Sequence, residues 1–196
     1  ILLFDEDGTY ITPVIVNTPN GFFRDFFKKP MGISSFVQPP QISAGGPDHF
    51  VFTSLSNNTS IKVQVIDYIE TDFGASYEPR ILFEADSTIA DGSLTTPNKF
   101  SQPISTLVTG DGTNFIFVLD QMKDSLYQFT VTGLEGVKPP VGSATSKYQL
   151  ASFGGRGDGL TQFNAPSSLA YKNRILWVCD AGNGRILRFK LTTDFQ

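Results

Sequence analysis

One short pattern, Phe-x-x-Pro, recurs three times and constrains the fold more than any other feature of the chain. It reads Phe27-Lys28-Lys29-Pro30, Phe100-Ser101-Gln102-Pro103 and Phe163-Asn164-Ala165-Pro166. A short apolar stretch follows each copy, at 31–37, 104–109 and 167–171. A β-rich run comes next, Phe50-Val51-Phe52-Thr53, Phe115-Ile116-Phe117-Val118 and Ile175-Leu176-Trp177-Val178. Then come a polar loop and an alternating strand, at 61–66, 126–131 and 186–191. The opening Ile1-Leu2-Leu3-Phe4 aligns with Ile186-Leu187-Arg188-Phe189, so the anchors Ile1, Ile61, Leu126 and Ile186 lie 60, 65 and 60 residues apart. Self-similarity at a near-fixed period marks a repeat architecture, in which each unit buries its faces on its neighbours.

Each unit reads as strands. Its β-branched and aromatic runs are four to seven residues long and bounded by Gly, Asp, Asn and Pro. Asp7-Gly8 and Asp111-Gly112 predict tight hairpins, because Gly reaches positive φ at little cost. The runs 115–119 and 175–178 are apolar throughout, as strands covered on both faces must be. Pro13 cannot donate to a ladder and places 10–16 at a sheet edge. With fourth strands at 10–16, 80–85 and 148–153, the chain reads as thirteen strands, four per full unit. No stretch reads as a long amphipathic helix; 24–29 and 121–125 have room for one turn each.

The last unit carries the fullest motif. Phe153-Gly154-Gly155-Arg156-Gly157-Asp158-Gly159 leads into Phe163-Asn164-Ala165-Pro166, and Ile175-Leu176-Trp177-Val178-Cys179-Asp180 into Ala181-Gly182-Asn183-Gly184-Arg185-Ile186. This resembles an NHL repeat: a glycine-rich lead-in, Phe-x-x-Pro, a strand ending in Asp, an Asn/Gly turn, then Arg-Ile before an apolar strand. The middle unit keeps Phe100, Pro103 and Val118-Leu119-Asp120, with Ser125-Leu126 in place of Arg-Ile. The first keeps Phe27, Pro30 and Asn57-Asn58, with Leu55 in place of the Asp. The resemblance implies an all-β fold, a β-propeller of four-stranded antiparallel blades. About three and a quarter blades are expected here, an arc of a six-bladed or larger ring. The implied division is outer strands of a preceding blade at 1–16, blades at 27–85 and 100–153, and an incomplete blade at 163–191. Extra length falls in loops at 38–48, 67–79 and 86–99. An open arc would expose apolar faces, so further blades are expected, either outside this chain or from another subunit, together with a strand covering the edge of 186–191. The start at Ile1, without a leader, reads as a processed form or a fragment.

Composition narrows the function classes. The single Cys179 excludes an internal disulfide framework, and the single His49 excludes a zinc site built on several imidazoles of this chain. No apolar run approaches 20 residues, so no helical membrane span is expected. Residues 1–137 hold 7 Lys and Arg against 16 Asp and Glu, a net of −9, whereas 138–196 hold 8 against 3, a net of +5. The acidic majority argues against nucleic-acid binding, although the last third has the charge for a basic face.

The candidate site residues lie in loops and at strand ends. Asp120 and Asp180 close β-rich runs where polar loops begin. They read either as rim ligands for a cation or partner, or as carboxylates accepting backbone N–H groups of their own turns; the strand-to-turn position favours the second reading. Asn183 reads as a turn former and Arg185 as a charge beside Asp180. Arg156-Gly157-Asp158 spells an adhesion tripeptide inside a glycine run that the repeat already explains. The same run fails as a dinucleotide loop, since Leu160 stands in the last glycine position and no helix follows. His49, beside Asp48, is the one imidazole available as a base, and no nucleophile elbow accompanies it. Cys179 reads as a small buried hydrophobe. Asn57-Asn58-Thr59-Ser60 contains overlapping N-glycosylation acceptors.

A regular frame carrying long, varied loops points to a binding or scaffold module that engages another protein or a glycan. No catalytic residue, metal or cofactor is expected. Two other readings stand beside it: a metal-dependent lyase or hydrolase whose site lies on blades outside this chain, and an RNA-binding propeller. Few Lys and many Thr, Ser, Gly and Asn lean toward an extracellular or cell-surface setting.

Overall fold

The computed structural model describes residues 1–36, 48–54, 61–72, 74–79, 87–113 and 115–191. These residues form β1 (Leu2–Phe4), β2 (Tyr10–Pro13), β3 (Val16–Thr18), β4 (Gly21–Phe23), β5 (Pro30–Phe36), β6 (Asp48–Ser54), β7 (Val63–Thr71) and β8 (Gly74–Pro79). Then follow β9 (Pro103–Val108), β10 (Phe115–Asp120), β11 (Ser125–Thr130), β12 (Phe153–Gly154), β13 (Ser168–Lys172), β14 (Ile175–Asp180) and β15 (Arg185–Lys190). The fold is all-β. One 3-10 turn, Ala181–Asn183, is the only helical element among the described residues. None of their helices is long and apolar enough to cross a membrane.

The strands form four sheets: β1-β2, β4-β3-β8-β7-β6-β5, β12-β11-β10-β9 and β13-β14-β15. Each of the last three contains an antiparallel meander that starts at a Phe-x-x-Pro corner: β5-β6-β7, β9-β10-β11 and β13-β14-β15. The first strands of successive meanders are neighbours, β5 against β9 and β9 against β13. A matched hydrogen bond crosses each junction. Val108 N–H donates to Ser34 Oγ at 3.0 Å, and Leu169 N–H donates to Ser105 Oγ at 3.3 Å. Gly32 allows the first approach, because a Cβ there would meet Ser105 Cα at 3.0 Å.

The middle sheet is covered on both faces, and β10 shows why its sequence does not alternate. Successive side chains of a strand point to opposite faces. Ile116 and Val118 join Val63, Val65, Leu94, Phe100 and Phe129 on the side of the six-stranded sheet. Phe115, Phe117 and Leu119 join Leu126, Phe163, Leu176 and Val178 on the side of the three-stranded sheet. All six β10 residues are therefore buried, and each large apolar side chain contributes roughly 1.5–3 kcal/mol of transfer free energy. A third cluster packs Ile66 of β7 against Val14 and Val16, with Ile1, Leu3, Phe26, Phe27 and Tyr77 around it.

Several details differ from the sequence expectation. The expected loop at 67–79 is instead the hairpin of β7 and β8, paired from Ile66↔Pro79 to Thr71↔Gly74. Residues 67–69 and 76–79 of it are only half-buried, so their polar spacing resembles a loop. The fourth strand of the middle sheet is only Phe153–Gly154, and the expected strand at 80–85 lies outside the described residues, as do Leu55, Asn57 and Asn58. The hairpin turns at Asp7-Gly8 and Asp111-Gly112 form with Gly8 at φ 80° and Gly112 at φ 83°. At the start of the chain β1 pairs with β2, whereas Val16 of β3 pairs in parallel with Tyr77 of β8.

Candidate functional site

The carboxylates that end β10 and β14 are both fully buried. Asp120 Oδ2 accepts Ser101 N–H at 2.6 Å, and its Oδ1 accepts the N–H groups of Gln102, Met122 and Lys123 at 3.0, 3.1 and 3.2 Å. One side chain thereby ties the Phe-x-x-Pro corner before β9 to the turn after β10. Asp180 repeats the device one sheet later. Its Oδ1 accepts Asn164 N–H at 2.7 Å, and its Oδ2 accepts Asn183 Nδ2 and Arg185 Nε, each at 2.8 Å. Burial pushes the Asp180 carboxyl up, but the bonds from Asn164, Asn183 and Arg185 together hold it below the ordinary carboxylate value.

Arg185 continues from Asp180 into the glycine-rich loop. Its guanidinium donates to the carbonyls of Asp158, Gly159 and Gln162, and Asn183 Nδ2 donates to Gly157 O at 2.8 Å. Asp180, Asn183 and Arg185 thus form one cluster that clamps residues 157–162. Glycine leaves the room that Gln162 occupies: a Cβ on Gly157 would meet Gln162 Oε1 at 2.4 Å and displace that side chain. Arg156 and Asp158 project outward from the clamped loop, and Arg156 Nη1 approaches the buried Asp124 at 3.9 Å. His49 lies apart from this cluster, at a paired position of β6 opposite Phe36 and Asp67.

Cys179 departs from expectation. It is half-buried, sharing the outward face of β14 with Ile175 and Trp177 instead of being enclosed. Among the described strands, β15 pairs with β14 alone, and Ile186 is 69% exposed.

Three arrangements could not be foreseen from local sequence. Lys99 Nζ meets Glu135 Oε2 at 2.5 Å in a largely buried pair, with Ser152 Oγ donating to Glu135 Oε1 and the Tyr127 and Phe129 rings 5.3 and 5.8 Å from the ammonium. Tyr171 Oη donates to Asp111 Oδ2 at 2.6 Å, across 60 residues of chain. Burial first, and then Asp111, raise the Tyr171 phenol. The third is an open cleft of about 600 Å³ where the first Phe-x-x-Pro corner faces the second, lined by Lys29, Lys62, Asn98, Gln102 and Met122 over Phe100 and Ser101. The one sequence signal for it is Lys28-Lys29, which makes the first corner the only doubly cationic copy.

No group of three or more His, Cys, Asp or Glu suited to a metal ion occurs among the described residues. No protein-family model and no curated protein matches the chain.

Proposed function

We propose that this chain is a non-catalytic binding module whose meanders are blades of a propeller similar to those built from NHL repeats. The observation that carries the functional reading is the fate of the motif's polar side chains. Asp120, Asp180, Asn183 and Arg185 are committed to backbone groups and to each other, so they brace loops and do not face outward. Recognition then falls to side chains on the braced loops, a division of labour common where a rigid scaffold carries variable connections. The propeller reading is supported by the matched Ser34–Val108 and Ser105–Leu169 bonds, which relate consecutive meanders by similar steps. Further blades, from chain beyond these residues or from another subunit, complete the ring in this reading. The ligand is another protein or a glycan at the cell surface.

The test is a pull-down from the native source combined with a glycan array. Recovery of a stoichiometric partner or a saturable glycan signal is expected, and the loss of both overturns the proposal. An experimental structure in which the three meanders share no common axis overturns the propeller reading.

A further inference from the structure

We propose that the cleft between the first two Phe-x-x-Pro corners binds the acidic sugar units of a glycan, an inference that rests on the binding-module reading above. Its volume of about 600 Å³ lies within the roughly 300–1,000 Å³ of small-ligand sites. Among the described residues the lining holds two ammonium groups, Lys29 and Lys62, and no carboxylate. This is unusual in a region of negative net charge. Asp120, which accepts the N–H groups of the lining residues Ser101 and Gln102, is fully buried and takes four backbone N–H groups in all, so it offers no internal partner to the lysines.

Lys62 is fixed: its Nζ donates to Ser101 O at 2.5 Å, which bridges the first sheet to the second corner. Lys29 is exposed, has φ 44° and makes no ion pair with a described residue. A compact carboxylate held between the two would gain charge-assisted hydrogen bonds from both. The remaining walls suit a sugar ring. Asn98 is an exposed amide, Gln102 presents a second one braced on Gln121 at 3.2 Å, and Met122 is 69% exposed as an apolar wall for C–H faces.

An acidic peptide fits less well. A peptide that adds to a sheet as an extended strand is taken up by free backbone groups. Here Ser101 N–H and Gln102 N–H are held by Asp120, Ser101 O by Lys62, Gln102 O by Gln121 N–H, and Lys99 O by Lys123. The backbone groups of Ser101 and Gln102 are thus already occupied, which favours a ligand recognised through side chains by its hydroxyls and a carboxylate.

The experiment is titration calorimetry of the full chain with trigalacturonate, its methyl-esterified form, a hyaluronan tetrasaccharide and a glutamate oligopeptide. Binding of at least one acidic saccharide is expected, weakened by added salt, with the ester and the peptide much weaker. Lys29→Gln should cost roughly tenfold in affinity, the scale of one charge-assisted hydrogen bond, with an unchanged melting temperature. Met122→Ser should also weaken binding without unfolding the protein. Equal binding of the ester, tighter binding of the peptide, an unaltered Lys29→Gln, or no saccharide binding each overturns the inference. If no saccharide binds and a native partner is still recovered in the pull-down, the inference fails while the binding-module reading stands.

Discussion

The Arg185 guanidinium donates to the fully buried Asp180 carboxylate, Nε to Oδ2 at 2.8 Å, and its other nitrogens hold the carbonyls of the glycine-rich loop. Two residues five positions apart thus fix a loop more than twenty positions upstream. Arg185→Met leaves an uncompensated buried carboxylate and should cost about 3 kcal/mol, the low end for breaking a buried pair because Arg185 keeps 28% exposure. Urea unfolding checks the magnitude. A loss below measurement error would contradict the clamp.

The same carboxylate gives an acid dependence. Its folded-state pKa lies below the ordinary 3.8, so its contribution is fully present above 3.8 and is lost as pH falls from there through the folded value. Asp180→Asn should therefore be less stable at neutral pH and should lose less stability between neutral pH and pH 3 than the parent. Parallel curves for the two proteins in urea midpoints across that range would reject the assignment.

Tyr171 and Asp111 make the opposite kind of switch. The Tyr171 phenol is raised above 10.0, so its bond to Asp111 contributes below 10.0 and is lost as pH rises through the folded value. Tyr171→Phe should cost about 1 kcal/mol at neutral pH, a typical net hydrogen bond, and should narrow the gap to the parent in strong alkali. Ultraviolet titration of tyrosine ionisation in the two proteins checks it: the variant should lose one high-pKa step.

Gly154 is required by its backbone. It has φ 146°, and a Cβ would lie 2.4 Å from Asp124 O and 2.5 Å from Ser125 Cα. Gly154→Ala should cost on the order of 1–3 kcal/mol, as overpacking does, and should release β12 from β11. Hydrogen exchange reports the release. The prediction concerns Gly155 N–H, which donates to Asp124 O at 2.7 Å and should lose protection first.

Phe117 tests the two-faced burial of β10. Phe117→Ala should destabilise by about 3–5 kcal/mol, whereas Leu160→Ser, at a site 82% exposed, should fall within about 0.5 kcal/mol of the parent. Comparable thermal shifts in the two variants would mean that the three-stranded sheet does not cover the middle one.

Much of this organisation was legible because local chemistry repeats. The runs at 115–119 and 175–178, the Asp-Gly turns and the Phe-x-x-Pro corners each follow from backbone preference or burial on one short segment, and β10, β14, Gly8 and Gly112 fall where those rules place them. The structural role of Asp120 was legible for the same reason, since a carboxylate at a strand-to-turn junction has backbone donors within reach. The β7-β8 hairpin was not, because its half-buried residues at 67–69 and 76–79 include the polar side chains of a loop. Nor was the exposure of Cys179, which depends on whether another sheet covers the face of β14.

The sequence by itself determined the Phe-x-x-Pro corners, the strand periodicity and the places where the chain turns, all of them consequences of side-chain sterics acting over a few residues. Tertiary structure alone decided which distant groups meet. Lys99 pairs with Glu135 across 36 positions, Tyr171 finds Asp111 across 60, and Lys62 reaches Ser101 across 39 to build one wall of the cleft. Such contacts depend on how sheets are placed against one another, a non-local outcome of burying apolar faces that no short window of residues encodes.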